Sequence, residues 1–428
     1  MIDNSIIQCV FCKTIIRLRF QMGYFDIPFD VCCPKCGVHI NGWRRIVHEN
    51  SLTVNNADAI VRALHDVDYY ADLSVELPSC KISKYESEES IIKNGFSPFM
   101  NLNRYFDYET YQSVIKCVGR FLAFRENRWQ HVRPLIDVLF SGNVTLAKDK
   151  FLELSACYTV ENELDATMAL HQMAVLGISN LLPDDTLKDF TQYATRIYHE
   201  NDIAKIISFT QALGGSAYLN SVSKRFVDIY SRWLIDYEKY NPVVMLVLGN
   251  AIEKLDKEQY GITTTSFEDM KSFYSDSYEL LLDMIGVAVG LNNLSLRNDY
   301  NSFSAKVKTK DFVSFWKLAK AERIAALIEE EPYSKPISIH RHIRNAVAHY
   351  NYEFDPNSQR IHFFDYHKGK ENTTTIYLVD LAHLCYDNMK ILVYLNELLY
   401  NIKKIDFLRS GLVPHIKPLK KEQTNAPL

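Results

Sequence analysis

The stretch HIRNAVAHYNYEF, residues 342–354, sets two histidines and an arginine within eight positions. Placing residues 337–350 on a helix, at 100° per residue, sorts them into two arcs. Ile339, Ile343, Ala346, Val347 and Tyr350 share an apolar arc, while Arg344, Arg341, Asn345, His349 and His342 share the opposite one, interrupted only by Ala348. The polar arc holds no acid and no lysine, so nothing within the helix neutralises its arginines. A facing surface or water must do so. A bound phosphate would meet the same need, because guanidinium forks match phosphate oxygens bidentately, and an imidazole can give or take a proton near neutral pH. The arc is either such a site or the polar side of an ordinary helix.

A second cluster could hold a metal. Of nine cysteines, Cys9, Cys12, Cys32, Cys33 and Cys36 crowd the N-terminus, and Cys9-x-x-Cys12 and Cys33-x-x-Cys36 have the spacing of two zinc-ribbon knuckles. Four thiolates can surround Zn(II) tetrahedrally and leave no open position, which makes the site structural and argues against zinc-dependent hydrolysis. Reduced core thiols or a redox pair are the competing readings. Cys32 competes with Cys33 as a ligand, and the spacing favours Cys33. Lys13, Arg17, Arg19, Lys35, Arg44 and Arg45, interleaved with Phe20, Tyr24 and Trp43, make either a nucleic-acid surface or the solvated face of a minidomain that folds on metal.

The elements that must position these residues change in texture along the chain. TIIRLRFQMGYFDIPFDV, between the two cysteine pairs, reads as β-rich. From about residue 55 to 260, windows such as ELDATMALHQMAVLGISNLL repeat apolar residues at helical spacing, and His65, His131, His171 and His199 lie isolated among them as structural residues. Thr265 and Glu268 have capping-box spacing for a helix over FEDMKSFYSDSYELLLDMIGVAVGL. DFVSFWKLAKAERIAALIEE makes a second helix, and the polar-arc helix follows Pro336. RIHFFDYHKGKENTTTIYLV reads as a β-hairpin turning near Gly369, before the helix DLAHLCYDNMKILVYLNELLYNI. The expected fold is mainly α: a zinc ribbon over 1–50, a helical array over 51–262, a helical bundle with a β-hairpin insertion over 263–405, and a basic, loosely ordered tail over 406–428.

Length and composition set the bounds. At 428 residues, 47% hydrophobic and 23% charged, the chain suits two or three packed domains rather than disorder. A net charge of −4 gives no global positive field, so contact with nucleic acid must be local. The first residues lack a basic then apolar leader, and the apolar runs fall short of a spanning helix, which points to a cytosolic protein with no membrane partner. No Gly-rich nucleotide loop or HExxH motif supports an ATPase or a metalloprotease.

Arg344-Asn345-x-x-x-His349 resembles the Rx4-6H motif of the HEPN superfamily, and IRNAVAHYNYEFD, the hairpin and the final helix are similar to HEPN domains of bacterial defence and toxin proteins, over about residues 265–405. The resemblance implies a metal-independent endoribonuclease in which the motif helices of a homodimer form one composite site on RNA. It makes His349 the base or acid, Arg344 the stabiliser of the phosphorane charge, and Asn345 an orienting residue. His342 and Arg341 are supporting or RNA-binding candidates. Structural zinc would be the sole cofactor, with an antitoxin or a phage-derived trigger as further partner. The other class of reading is a non-catalytic adaptor, in which ribbon and HEPN dimer serve as docking surfaces.

Overall fold

In a computed structural model, the described residues are 2–47, 49–94, 102–154, 157–183, 185–367 and 370–417. They divide into two compact units, one of residues 1–115, 231–279 and 339–389 and the other of 116–230, 280–338 and 390–428. The chain is mainly helical, and its named strands, β1 to β13, all fall in the first unit.

That unit starts from two hairpins, each closed by a cysteine knuckle. β1 (Ile2–Cys9) pairs with β2 (Ile15–Gln21), and β3 (Ile27–Cys32) pairs with β4 (His39–Arg45). β5 (Ser51–Asn55) adds to β4, β6 (Ala57–Ile60) returns to β1, and β7 (Tyr69–Leu73) lies parallel to β2. β8 (Ser79–Cys80) and β9 (Ser83–Lys84) follow, giving a five-stranded sheet in the order β6-β1-β2-β7-β9. Strand structure therefore continues to Lys84, where a helical texture was expected from about residue 55. The reason is that residues 57–84 satisfy the open edges of β1 and β2 through backbone pairing, which side-chain periodicity does not encode.

The same unit takes in later parts of the chain. β10 (Tyr260–Gly261) pairs with β8, and the amide of Asp30 donates to the carbonyl of Thr263 at 2.8 Å. The Lys81 ammonium donates to the carbonyls of Lys257 and Ser358, at 2.7 and 2.5 Å. A long helix, Phe267–Arg297, begins where the expected one does, but Ser266 rather than Thr265 is its cap, the Ser266 hydroxyl accepting the amide of Asp269 at 3.0 Å. This helix is long and apolar enough to cross a membrane, contrary to the expectation of short apolar runs, but 78% of its most apolar 18 residues are buried within the protein.

The motif helix spans Arg341–Ala348, shorter than the expected 337–350. After it, β11 (Tyr352–Asp355), β12 (Arg360–His367) and β13 (Lys370–Tyr377) form a meander, the expected hairpin with one strand added. The turn at Gly369 lies outside the described residues. The closing helix runs Leu378–Arg409.

The second unit is helical, with Trp129, Phe151, Phe209 and Tyr230 in its core. The expected helix over 311–330 is broken into Phe312–Lys317 and Lys320–Arg323. Arg323 donates to the carbonyls of Trp316 and Leu318 (2.9 and 3.3 Å), and the Glu322 carboxylate accepts the amide of Ala319, so the break satisfies its own backbone. The tail is also more ordered than expected. The closing helix covers residues 406–409, and buried Asp165 accepts the amide of His415 at 2.7 Å and pairs with its imidazole at 2.9 Å. Residues 418–428 lie outside the described residues.

Candidate functional site

The four expected cysteines come together. Cys9 and Cys36 sulfurs are 3.6 Å apart, those of Cys12 and Cys33 3.4 Å apart, and all four ligand atoms lie within 4.8 Å of one another. A tetrahedron with Zn–S bonds of about 2.3 Å would have edges near ~3.8 Å, so the donor set fits a closed metal site. The two knuckles repeat one backbone device. In each, the residue after the second cysteine turns left-handed, Lys13 at φ 61° and Gly37 at φ 73°, and its amide donates back to the first cysteine's carbonyl, at 3.0 Å to Cys9 and 2.8 Å to Cys33. Cys33 joins the cluster and Cys32 does not; burial pushes the Cys32 thiol up to about 12.

The four arginines of this region are each paired with an acid. Arg17 meets Glu88 at 2.5 Å, Arg19 meets Asp72 at 2.7 Å with both side chains buried, Arg44 meets Asp3 at 2.8 Å, and Arg45 meets Asp26 at 3.1 Å while lying over Trp43. Phe20 is fully buried and Tyr24 exposed. Lys13 and Lys35 are exposed beside the cysteines. Two of the paired acids, Asp72 and Glu88, lie beyond the first fifty residues, which is part of why the run looked cationic.

On the motif helix, Ile343, Ala346 and Val347 are buried, and Arg344 and Asn345 are half-buried. Arg341, His342 and His349 are exposed. The anion that the arc lacked is supplied by the long helix: the Arg344 guanidinium donates to Glu279 Oε1 at 2.7 Å. Glu279 was not singled out from the sequence; the available signal was an acid inside the apolar run YELLLDMIGVAVGL.

The helix stops at His349. The amide of Asn351 donates to the Ala346 carbonyl at 2.8 Å and that of Tyr350 to Val347 at 3.3 Å, the two bonds of a Schellman cap. The left-handed position of that cap, usually glycine, is Tyr350, at φ 56°. Tyr350 was expected on the buried arc, but the reversal throws its ring outward, leaving it 80% exposed. Beyond it, Lys271 donates to the Tyr352 hydroxyl at 2.6 Å and pairs with Glu268 at 2.5 Å, and its ammonium lies 5.9 Å from the Tyr350 ring centre. Behind the helix, Tyr274 donates to the His340 carbonyl at 3.3 Å, and the Phe364 amide donates to the Asn351 carbonyl at 2.9 Å. The motif helix is thus pinned at both ends, with a histidine at its exposed tip.

Residues 227–404 match the family model described as HEPN pEK499 p136. The match contains the long helix, the motif helix, the three-stranded meander and most of the closing helix. No curated protein and no solved structure matches the chain.

Proposed function

We propose that the chain is a HEPN-type endoribonuclease that cleaves RNA through the substrate's own 2'-OH, without a catalytic metal. The observation that carries this reading is the exposed His349 at the tip of a helix whose Arg344 is held in place by Glu279. RNA supplies the nucleophile, so the protein must take the 2'-OH proton, stabilise the charge on the pentavalent phosphorane and protonate the leaving 5'-oxygen. His349 moves a proton, Arg344 faces the phosphorane oxygens, and Asn345 orients a phosphate oxygen or the imidazole. Arg341 and His342, both exposed, flank the substrate path.

Five helical residues turn the chain through about 500°, so Arg344 and His349 point about 140° apart on one helix. A two-fold pair of motif helices removes that divergence, since each site then takes its arginine from one copy and its histidine from the other. We therefore propose a homodimer with composite sites. The cysteine cluster is proposed to hold zinc in a structural role, and the biological role to be that of an antiphage or abortive-infection effector or toxin, held by an antitoxin or released by a phage-derived trigger.

The Arg344–Glu279 pair also favours a second reading, in which the arginine is structural and the protein is a non-catalytic adaptor. Incubating the purified protein with mixed cellular RNA and mapping the new ends separates the two. Cleavage in excess EDTA that leaves 2',3'-cyclic phosphates and is lost in His349→Ala supports the nuclease; RNA that stays intact, or is cut equally by His349→Ala, supports the adaptor.

A further inference from the structure

The second unit contains a cavity of about 300 Å³, lined by Phe140, Glu163, Asn220, Lys403, Asp406 and Phe407 among others. A smaller one of about 90 Å³ shares Leu139, Phe140 and Lys403 with it, so the two adjoin. The smaller one is walled by apolar side chains, among them Ile136, Leu170, Phe226 and Val227. The combined space falls in the range of small-molecule sites.

Two polar groups in these walls have no direct hydrogen-bond or ion-pair partner among the described residues. Lys403 is only 9% exposed, yet no hydrogen-bond or ion-pair partner reaches its ammonium among the described residues; it rests 5.6 and 5.7 Å from the ring centres of Phe140 and Phe407. The hydroxyl oxygen of Thr167, a residue 7% exposed, is likewise unpaired and lines the smaller cavity. An ammonium on a largely buried stem, met directly by two aromatic faces rather than by a hydrogen-bonded anion, is only partly compensated for its lost hydration. An anionic group on a ligand would complete the site. The walls also carry Asp406, which accepts the Ser216 hydroxyl at 2.9 Å, and the more exposed Glu163. One cation against two acids disfavours a simple anion and favours a molecule that brings a positive group as well.

We propose that this cavity binds a small zwitterion of the amino-acid type with an apolar side chain. Its carboxylate pairs with Lys403, its ammonium faces Asp406 and Glu163, and its side chain enters the apolar recess beside Phe226. The site is independent of the motif helix and of the reading given to it.

Isothermal titration of the full chain with L-phenylalanine and L-leucine, beside phenylpropionate and phenethylamine, tests the proposal. At least one of the two amino acids binds, while each single-charge analogue binds at least tenfold more weakly. Lys403→Met, which removes a buried charge and retains an apolar stem, folds as judged by its melting transition. It loses amino-acid binding at least tenfold and no longer disfavours phenethylamine. Asp406→Asn shifts preference towards phenylpropionate. Absence of binding by both amino acids at millimolar concentration, equal binding of phenylpropionate, or unchanged binding in a folded Lys403→Met protein overturns it.

Discussion

His349 owes its exposure to the residue that follows it. Because Tyr350 takes the left-handed turn, the motif helix ends with the imidazole at its tip rather than on its side. If that imidazole moves the proton, His349→Ala and Arg344→Ala each lower the RNA cleavage rate by at least about a hundredfold. Asn345→Ala costs less, and His342→Ala less again. These variants are expected to unfold like the parent, since their side chains lie outside the buried set of Ile343, Ala346 and Val347. Glu279→Gln tests the anion on its own: it leaves Arg344 less firmly held, and gel-resolved cleavage rates fall less than in Arg344→Ala. The left-handed tyrosine itself costs about 1–2 kcal/mol in backbone strain, so Tyr350→Gly is expected to raise stability by roughly 1 kcal/mol in a urea titration. A drop instead would mean that the ring's position near Lys271 and Tyr352 outweighs the strain.

At the scale of elements, the cysteine knuckles make the sharpest case. Metal analysis is expected to give about one zinc per chain, lost in a Cys12→Ser, Cys36→Ser double variant, because a closed four-thiolate site cannot hold the ion on half its ligands. Retained zinc in that variant would remove the assignment. A Cβ at Gly37 would meet nothing within 4 Å, so Gly37→Ala reads the strain of φ 73° alone and costs about 1–2 kcal/mol. These knuckles were legible in the sequence because a knuckle is local: five residues specify the whole turn. The motif arc was legible for the same reason, helical period being a short-range property, although Tyr350 was misplaced because the cap that ends the helix is set by where Asn351 meets β12. What was not legible is long-range pairing. Arg17 finds Glu88 and Arg19 finds Asp72, more than fifty positions away, and Arg344 finds Glu279 sixty-five positions back. Seen without those partners, each arginine looked available for nucleic acid.

For the molecule as a whole, the proposed composite site makes a prediction that no single-copy site shares. Mixing inactive Arg344→Ala with inactive His349→Ala and allowing exchange restores cleavage, because one of the two sites in each mixed dimer has both groups intact; the rate approaches about a quarter of the parent's. No recovery on mixing, with dimers verified by sedimentation, excludes the composite arrangement. Stability should also depend on alkaline pH. Burial, opposed by Glu163 and Asp406, lowers Lys403 from 10.5 to about 8. Between those values the unfolded chain holds a proton that the folded chain does not, so the penalty is full below pH 8 and disappears as pH rises through 10.5. Denaturant titrations should therefore find Lys403→Met more stable than the parent at pH 7, by up to roughly 3 kcal/mol, with the gap narrowing by pH 10.

The unit that carries the motif helix draws on three separated stretches of chain, the first opening with β1 at Ile2 and the last reaching Met389. A ribosome adds residues at about 5–20 per second, so roughly 20–75 s pass between the emergence of β1 and that of β13. For the first part of that interval β8 has no β10 to pair with, and for nearly all of it Lys81 has no Ser358 carbonyl to receive its ammonium. The nascent chain, tethered among messenger and ribosomal RNA, therefore has no assembled motif site until translation of this region is nearly finished. On the nuclease reading proposed above, the chain would carry no complete motif site for most of its own synthesis, and a copy terminated before β13 would lack the assembled unit.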